Sequence, residues 1–198
     1  MSKAFDPRDR YFKRAKAEGY RARSAYKLRE ILGSRRLLRK GWTVLDLGCA
    51  PGGFLQVLAE HVGKGGNVVG VDKVPIRSLS DSRIKTLVKD VEDASLVDEL
   101  MSLHSSYDAV ISDMAPATTG SAATDVARSI RLVERTLEIS EKILRPGGVI
   151  VAKVFMGQGF EELVADFKER FRAVRVVRPE ATRKRSRECF LVATGHRP

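Results

Sequence analysis

The sequence predicts an α/β fold: a seven-stranded, mostly parallel sheet with one antiparallel strand and helices on both faces. Two observations lead there. Short, continuously apolar runs alternate with stretches at helical spacing along most of the chain, the pattern of βαβ units whose strands are covered on both sides. The last two runs follow each other through a short connection, so the final strand runs antiparallel to its predecessor.

Taken in order, Asp6 and Pro7 suit a helix cap and a first helical residue, and that helix runs to Gly19, a stop signal. Ser24 caps a second short helix ending at Leu32. "WTVLDLG" is the first buried strand, "FLQVLAEHV" a helix, "NVVGVD" the second strand and "IKTLVKD" the third. "SLVDELMSL" is a helix and "YDAVISDM" the fourth strand. A periodic stretch over 124–144 forms the next helix, stopped by "RPGG". "GVIVAKVF" is the fifth strand, "FEELVADFKERF" a helix, and "AVRVVRP" and "ECFLVATG" the closing strands.

A chain of 198 residues fits one compact domain, divided here into a basic helical segment over 1–40 and the sheet domain over 41–198. No apolar run approaches the roughly 18 residues of a membrane span, and the N-terminus lacks the apolar stretch of a signal peptide. With Cys49 and Cys189 as the two cysteines, a reduced, cytoplasmic setting is expected. The histidines His61, His104 and His196 are scattered, which gives no metal-ligand spacing; near helix or chain ends, they are expected to be solvated. Cys49 has no base near it in sequence and reads as a packing residue, as do Cys189 and Trp42.

The formal charge of +11 is unevenly spread. Residues 1–40 hold 14 Lys and Arg against four Asp and Glu, residues 41–169 hold 13 against 19, and residues 170–198 hold nine against two. Basic ends around an acidic middle suit a phosphate backbone, and Phe5, Tyr11, Phe12, Tyr20 and Tyr26 among the N-terminal cations suit exposed bases. Nucleic-acid binding follows as the expectation.

Ligands of an open α/β sheet bind beyond the carboxyl ends of its strands. Five runs end on ionisable residues: Asp46, Asp72, Asp90, Asp113 and Lys153. The antiparallel last strand starts on that same rim, at Glu188. Asp72 lies 24 positions after Gly48, where an acid accepts hydrogen bonds from both hydroxyls of an adenosine ribose. The turn "GCAPGG" between them is neither G-x-G-x-x-G nor a Walker A sequence, and Pro51 removes an N–H that a phosphate cradle would use. Asp46, Asp90 and Asp113 repel a pyrophosphate but tolerate an ammonium and a sulfonium. S-adenosylmethionine therefore fits better than a nicotinamide dinucleotide.

The segments "SAYKL", "DLGCAPGGF", "GVDKVP", "SDMAPATTG", "VAKVF" and "RSRECFLVATG" resemble the FtsJ/RrmJ family of S-adenosylmethionine-dependent RNA 2′-O-ribose methyltransferases. The resemblance runs from about Arg8 to the end of the chain. It implies a Rossmann-like class I methyltransferase fold, S-adenosyl-L-methionine as cofactor and a Lys-Asp-Lys-Glu tetrad at Lys27, Asp113, Lys153 and Glu188. It also implies cofactor contacts at Gly52, Phe54, Asp72, Asp90 and Asp113. "SDMAPATTG" and "VATGHRP" are closer to the branch that methylates a uridine ribose in large-subunit ribosomal RNA than to the tRNA anticodon-loop branch. The implied partner is ribosomal RNA, within the large subunit, and the implied state is a monomer. Methylation of tRNA and a non-catalytic role in ribosome assembly are the alternatives. Two positions depart from the family pattern: Cys49 stands where a small residue is common, and Phe54 where the ribosomal branch often has Trp.

Methyl transfer to a hydroxyl needs in-line approach and removal of the hydroxyl proton as the bond forms. Lys153, inside the apolar run "VIVAKVF", is the candidate base. Desolvation, Lys27 and the sulfonium lower its pKa, whereas Asp113 and Glu188 raise it. If the carboxylates dominate, Lys153 is instead an orienting cation.

Overall fold

The computed structural model describes residues 10–33, 37–183 and 185–198. The elements are α1 (Arg10–Ala17), α2 (Ala25–Gly33), β1 (Thr43–Leu47), α3 (Gly53–Val62), β2 (Asn67–Asp72), β3 (Ile84–Val88) and α4 (Leu96–Leu103). After these come β4 (Tyr107–Ser112), α5 (Ala122–Ile143), β5 (Leu144–Phe155), α6 (Phe160–Arg170), β6 (Phe171–Val177) and β7 (Glu188–His196). The strands form one seven-stranded sheet in the order β3-β2-β1-β4-β5-β7-β6. β1 to β5 are parallel, and β7 alone runs antiparallel to both of its neighbours. The chain reverses its winding direction between β1 and β4, which opens a crevice beyond their carboxyl ends.

Side chains alternate along each strand and feed two cores. Leu45, Leu47, Val110, Ile150 and Ala152 face α4, α5 and α6. Val44, Val68, Ile111, Val151 and Phe190 face α2 and α3. The basic N-terminal segment is thus tied into the sheet, because Ala25, Leu28, Ile31 and Leu32 of α2 belong to the second core. Gly19, at φ +76°, stops α1 in the left-handed conformation that glycine adopts most readily, and Tyr20 N–H donates back to the Ala15 carbonyl at 2.8 Å. The Asp6-Pro7 cap expected from sequence lies outside the described residues.

Three local expectations need correction. "RPGG" is not a loop between helix and strand: α5 ends at Ile143 and β5 starts at Leu144. The ladder pairs Tyr107 with Leu144 and then Ala109 with Val149, so the four residues between form a bulge in β5. Arg145 anchors it on Asp108 at 2.5 Å, and Gly148 is required because a Cβ there would come within 2.6 Å of the Leu144 side chain. Next, β3 stops at Val88 rather than Asp90; it is an edge strand with Lys85, Thr86 and Val88 exposed. His196 is buried, not solvated, because it pairs with Phe171 across the β6–β7 ladder and its ring lies 5.3 Å from that phenyl ring. Cys49 and Cys189 are free, buried thiols. Among the described residues, no helix is long and apolar enough to cross a membrane.

Gly70 of β2 brings the strand under the turn that follows β1. A Cβ at Gly70 would sit 2.9 Å from Cys49 Sγ and 2.9 Å from Leu55 Cδ2, contacts that a close-packed interior cannot absorb without displacement. Gly70→Ala should therefore destabilise the protein by about 1–3 kcal/mol in urea denaturation, and Cys49→Ala should recover part of that loss. Gly33→Ala, with nothing near its added methyl group, should be close to neutral. Equal effects at the two glycines would contradict the packing argument.

Candidate active site

The turn after β1 is stitched into the crevice by its backbone. Gly48 and Cys49 N–H both donate to the Val71 carbonyl of β2, and Asp113 N–H donates to the Leu47 carbonyl of β1 at 3.1 Å. Gly48 has φ +77°, and a Cβ there would lie 2.8 Å from the Met114 side chain. Only a glycine lets the β1 turn approach the β4 end this closely. A cavity of about 270 Å³ opens beside this contact, lined among others by Gly48, Ala50, Asp72, Asp90, Asp113 and Met114.

Asp72, the last residue of β2, is oriented by backbone donors. Its Oδ2 accepts from Ala50 N–H and its Oδ1 from Val74 N–H, each at 2.9 Å. Each carboxylate oxygen keeps a second lone pair, and Asp72 lines the cavity. Asp90 accepts from Glu92 N–H at 3.0 Å. Gly52 and Phe54 do not line the cavity. Gly52, at φ +110°, precedes α3 under the Arg21 side chain, and Phe54 is buried in the core beneath α3. Both shape the turn from below. Arg21 adds a clasp that sequence reading missed: its guanidinium donates to the carbonyls of Pro51, Arg77 and Ser78.

Asp46 is also not on the rim, contrary to the sequence expectation. It sits one residue inside the end of β1, fully buried, with both carboxyl oxygens lacking a partner among the described residues. Burial first, then the neighbouring carboxylates of Asp113 and Asp72, push its carboxyl well above the usual carboxylate range.

Lys153 of β5, Glu188 of β7 and Lys27 of α2 complete the titratable set expected from sequence. Lys153 of β5 is 8% exposed, and its Nζ donates to Asp113 twice, to the carbonyl and to Oδ1 at 2.8 Å. Lys27 of α2 donates to Glu188 Oε1 at 2.5 Å, with both side chains largely covered. The ladder pairs Lys153 with Phe190 and Phe155 with Glu188, so Lys153 and Glu188 are diagonal neighbours, about 7–8 Å apart at the backbone. Two cations and two anions thus form two ion pairs next to each other, and Asp113 belongs both to a pair and to the cavity wall.

Beside the Lys27–Glu188 pair lies a second hollow of about 340 Å³, lined by Arg23, Ser24, Lys27, Arg183, Ser186 and Glu188. Arg23 donates to the Ala181 carbonyl at 2.8 Å. Glu30 accepts from the backbone N–H of Glu180 at 2.7 Å. These contacts fix the basic loop before β7 on α2. The N-terminal aromatics are less open than expected: Tyr20 and Tyr11 lie 5.9 and 5.7 Å from the Tyr26 ring, and Arg14 covers Tyr26 at 4.8 Å. Cation–π contacts occupy ring faces that a base would need. Phe5 lies outside the described residues. Trp42, as expected, packs, with Arg145 at 5.2 Å from its ring.

Residues 20–196 match the family described as FtsJ-like methyltransferase. The chain is 50% identical over 198 residues to the ribosomal RNA large subunit methyltransferase E of Anaeromyxobacter sp. (strain Fw109-5), covering all of this chain and 72% of that protein. It is 50% identical to the protein of the same name from Myxococcus xanthus, covering all of this chain and 93% of the relative. A Plasmodium falciparum crystal structure described as a ribosomal RNA methyltransferase superposes with a TM-score of 0.79 at 25% identity, covering 89% of this chain and 98% of that one. Aeropyrum pernix fibrillarin, solved with natively bound S-adenosyl-L-methionine, shares the fold at a TM-score of 0.60 and 18% identity, covering 86% and 76%.

A carboxyl whose native pKa is raised holds a proton that the unfolded chain releases. Stability then falls as pH climbs from the unfolded-state value of about 3.9 toward the native one. Asp46→Asn keeps the shape and removes this titration. In urea denaturation of the ligand-free protein, the variant should gain on the wild type as pH rises through and above the carboxylate range. Parallel stability profiles would show that Asp46 ionises without cost.

Proposed function

The chain belongs to the FtsJ-like methyltransferase family, and on that premise we propose that it transfers a methyl group from S-adenosyl-L-methionine to the 2′-hydroxyl of a uridine ribose in large-subunit ribosomal RNA. The observation that carries this reading is the double engagement of Asp113, which lines the cavity and holds Lys153. A methyl donor bound in the cavity is thereby set beside a candidate base.

The cavity residues suit that donor. Asp72 has free acceptor directions for two ribose hydroxyls, while Asp90 and Asp113 suit an ammonium and a sulfonium rather than a pyrophosphate. Pro51, which carries no N–H, weakens the turn as a phosphate cradle. Gly52 and Phe54 enter as the residues that fix the turn. When bound, S-adenosyl-L-methionine supplies an electrophilic methyl group.

Lys153 supplies the proton acceptor. A neutral amine has two N–H bonds and one lone pair, and both N–H bonds go to Asp113, so the lone pair is left for the substrate hydroxyl. In the ammonium form the third N–H takes that direction and orients the hydroxyl oxygen. Lys27, held by Glu188, is assigned to the arriving ribose and its phosphate, and the hollow with Arg23 and Arg183 adds further cations beside it. Such a set of cations favours a phosphate backbone, and RNA affinity should fall as salt rises. The large-subunit target rests on the names of the relatives, and the 2′-hydroxyl on the tetrad Lys27, Asp113, Lys153 and Glu188.

Nuclease digestion of ribosomal RNA after reaction with labelled cofactor should yield a 2′-O-methyluridine, with no label in tRNA treated alike. Lys153→Ala should lower turnover at least about 10²-fold, the low end for general-base loss, while calorimetric cofactor affinity stays within a few fold. Label on a base, or near-native turnover of Lys153→Ala, would overturn the reading.

A further inference from the structure

A third hollow, of about 350 Å³, lies on the far side of the loop before β7. Its walls include Gly120, Val126, Phe155, Arg185, Ser186 and Arg187. Ser186 also lines the hollow beside Lys27, so the two hollows border the same residue. Phe155 is the second residue after Lys153 on β5 and pairs with Glu188 across the ladder. The hollow therefore begins one residue pair beyond the proposed chemistry.

Phe155 is partly exposed and belongs to neither of the two sheet cores, although it follows the buried run 149–154 of β5. Arg185 and Arg187 are exposed, and among the described residues neither forms an ion pair with a carboxylate. The segment that carries them is nonetheless fixed. Met156 N–H donates to the Arg187 carbonyl at 2.9 Å, and Glu188 N–H to Ser186 Oγ at 3.1 Å. Asp125, the acid in the wall, is engaged by Thr119 through N–H and hydroxyl at 2.8 and 2.9 Å.

A partly exposed aromatic residue in the wall of a cavity of single-nucleotide size, rimmed by two cations without carboxylate partners among the described residues, has the chemistry of a base-stacking site with phosphate contacts. We propose that this hollow receives the unpaired nucleotide next to the methylated one, its base stacked on Phe155 and its phosphate between Arg185 and Arg187. The proposal rests on the RNA methyl-transfer reading above and adds a specificity-determining subsite to it. It requires the RNA to be single-stranded across the site, since a paired neighbour cannot turn its base into the hollow.

The test compares Phe155→Leu, which keeps apolar bulk without a π face, with Phe155→Tyr, which keeps the ring. The substrate is a large-subunit RNA that the wild-type protein methylates. Phe155→Leu should raise the KM for RNA about tenfold, within the range of lost base stacking, with kcat at saturating RNA and cofactor affinity within about twofold. Phe155→Tyr should stay near wild type. An abasic nucleotide beside the target should weaken wild-type binding similarly and add little in Phe155→Leu. An unchanged KM in Phe155→Leu, equal losses in both variants, or an abasic loss that adds fully to the Leu loss would overturn the subsite while wild-type methylation stands. A wild-type protein that methylates no RNA would instead overturn the functional reading, and the subsite with it.

Discussion

Everything at the carboxyl rim depends on the contact between the ends of β1 and β4. The Asp113 N–H bond to the Leu47 carbonyl and the approach of Gly48 to Met114 hold these two ends together. That closeness puts one carboxylate in two places at once. Asp113 lines the cavity between the halves of the sheet, and it fixes Lys153 on the next strand. A Cβ at Gly48 would push β4 outward, and the cavity and the lysine would separate.

The ion pairs follow the same economy of charge. Burying a lone ammonium is expensive, and removing one partner of a buried pair leaves the other uncompensated. Lys153 and Lys27 each have one carboxylate partner, Asp113 just beyond β4 and Glu188 at the start of β7, so neither amine is buried without one. Asp46 is the exception: it has no cation and no donor among the described residues, and burial holds its carboxyl well above the usual carboxylate range instead.

The strands β1, β2, β4 and β5 were legible because continuous apolar runs have one reading in a sheet covered on both sides. Edge strand β3 was legible in place but not in length, since Lys85, Thr86 and Val88 face solvent. Asp46 and Asp113 look alike in sequence, each an acid closing an apolar run. They differ by a single step: Asp46 lies within β1 and Asp113 just beyond β4, and one residue decides which is buried. Lys27 was legible only through family resemblance, since a lysine among many cations carries no mark of its own. The hollow between Arg23 and Arg183 could not be read, because it joins segments that only the β5–β7–β6 order and the bonds of Ala181 to Arg23 and of Glu180 to Glu30 bring together.

The central claim is that one carboxylate couples cofactor cavity to proton acceptor. Asp113→Asn tests it most directly, because the amide keeps the shape and removes the charge. Cofactor affinity by calorimetry and methyl transfer at saturating cofactor should be measured on the same preparation. The account predicts that both fall: affinity by roughly tenfold, as for a lost charge-assisted hydrogen bond, and saturated turnover by a further factor of about 10² or more as Lys153 loses its anchor. Native turnover once the cofactor site is filled would contradict it, showing that Asp113 serves the cavity alone.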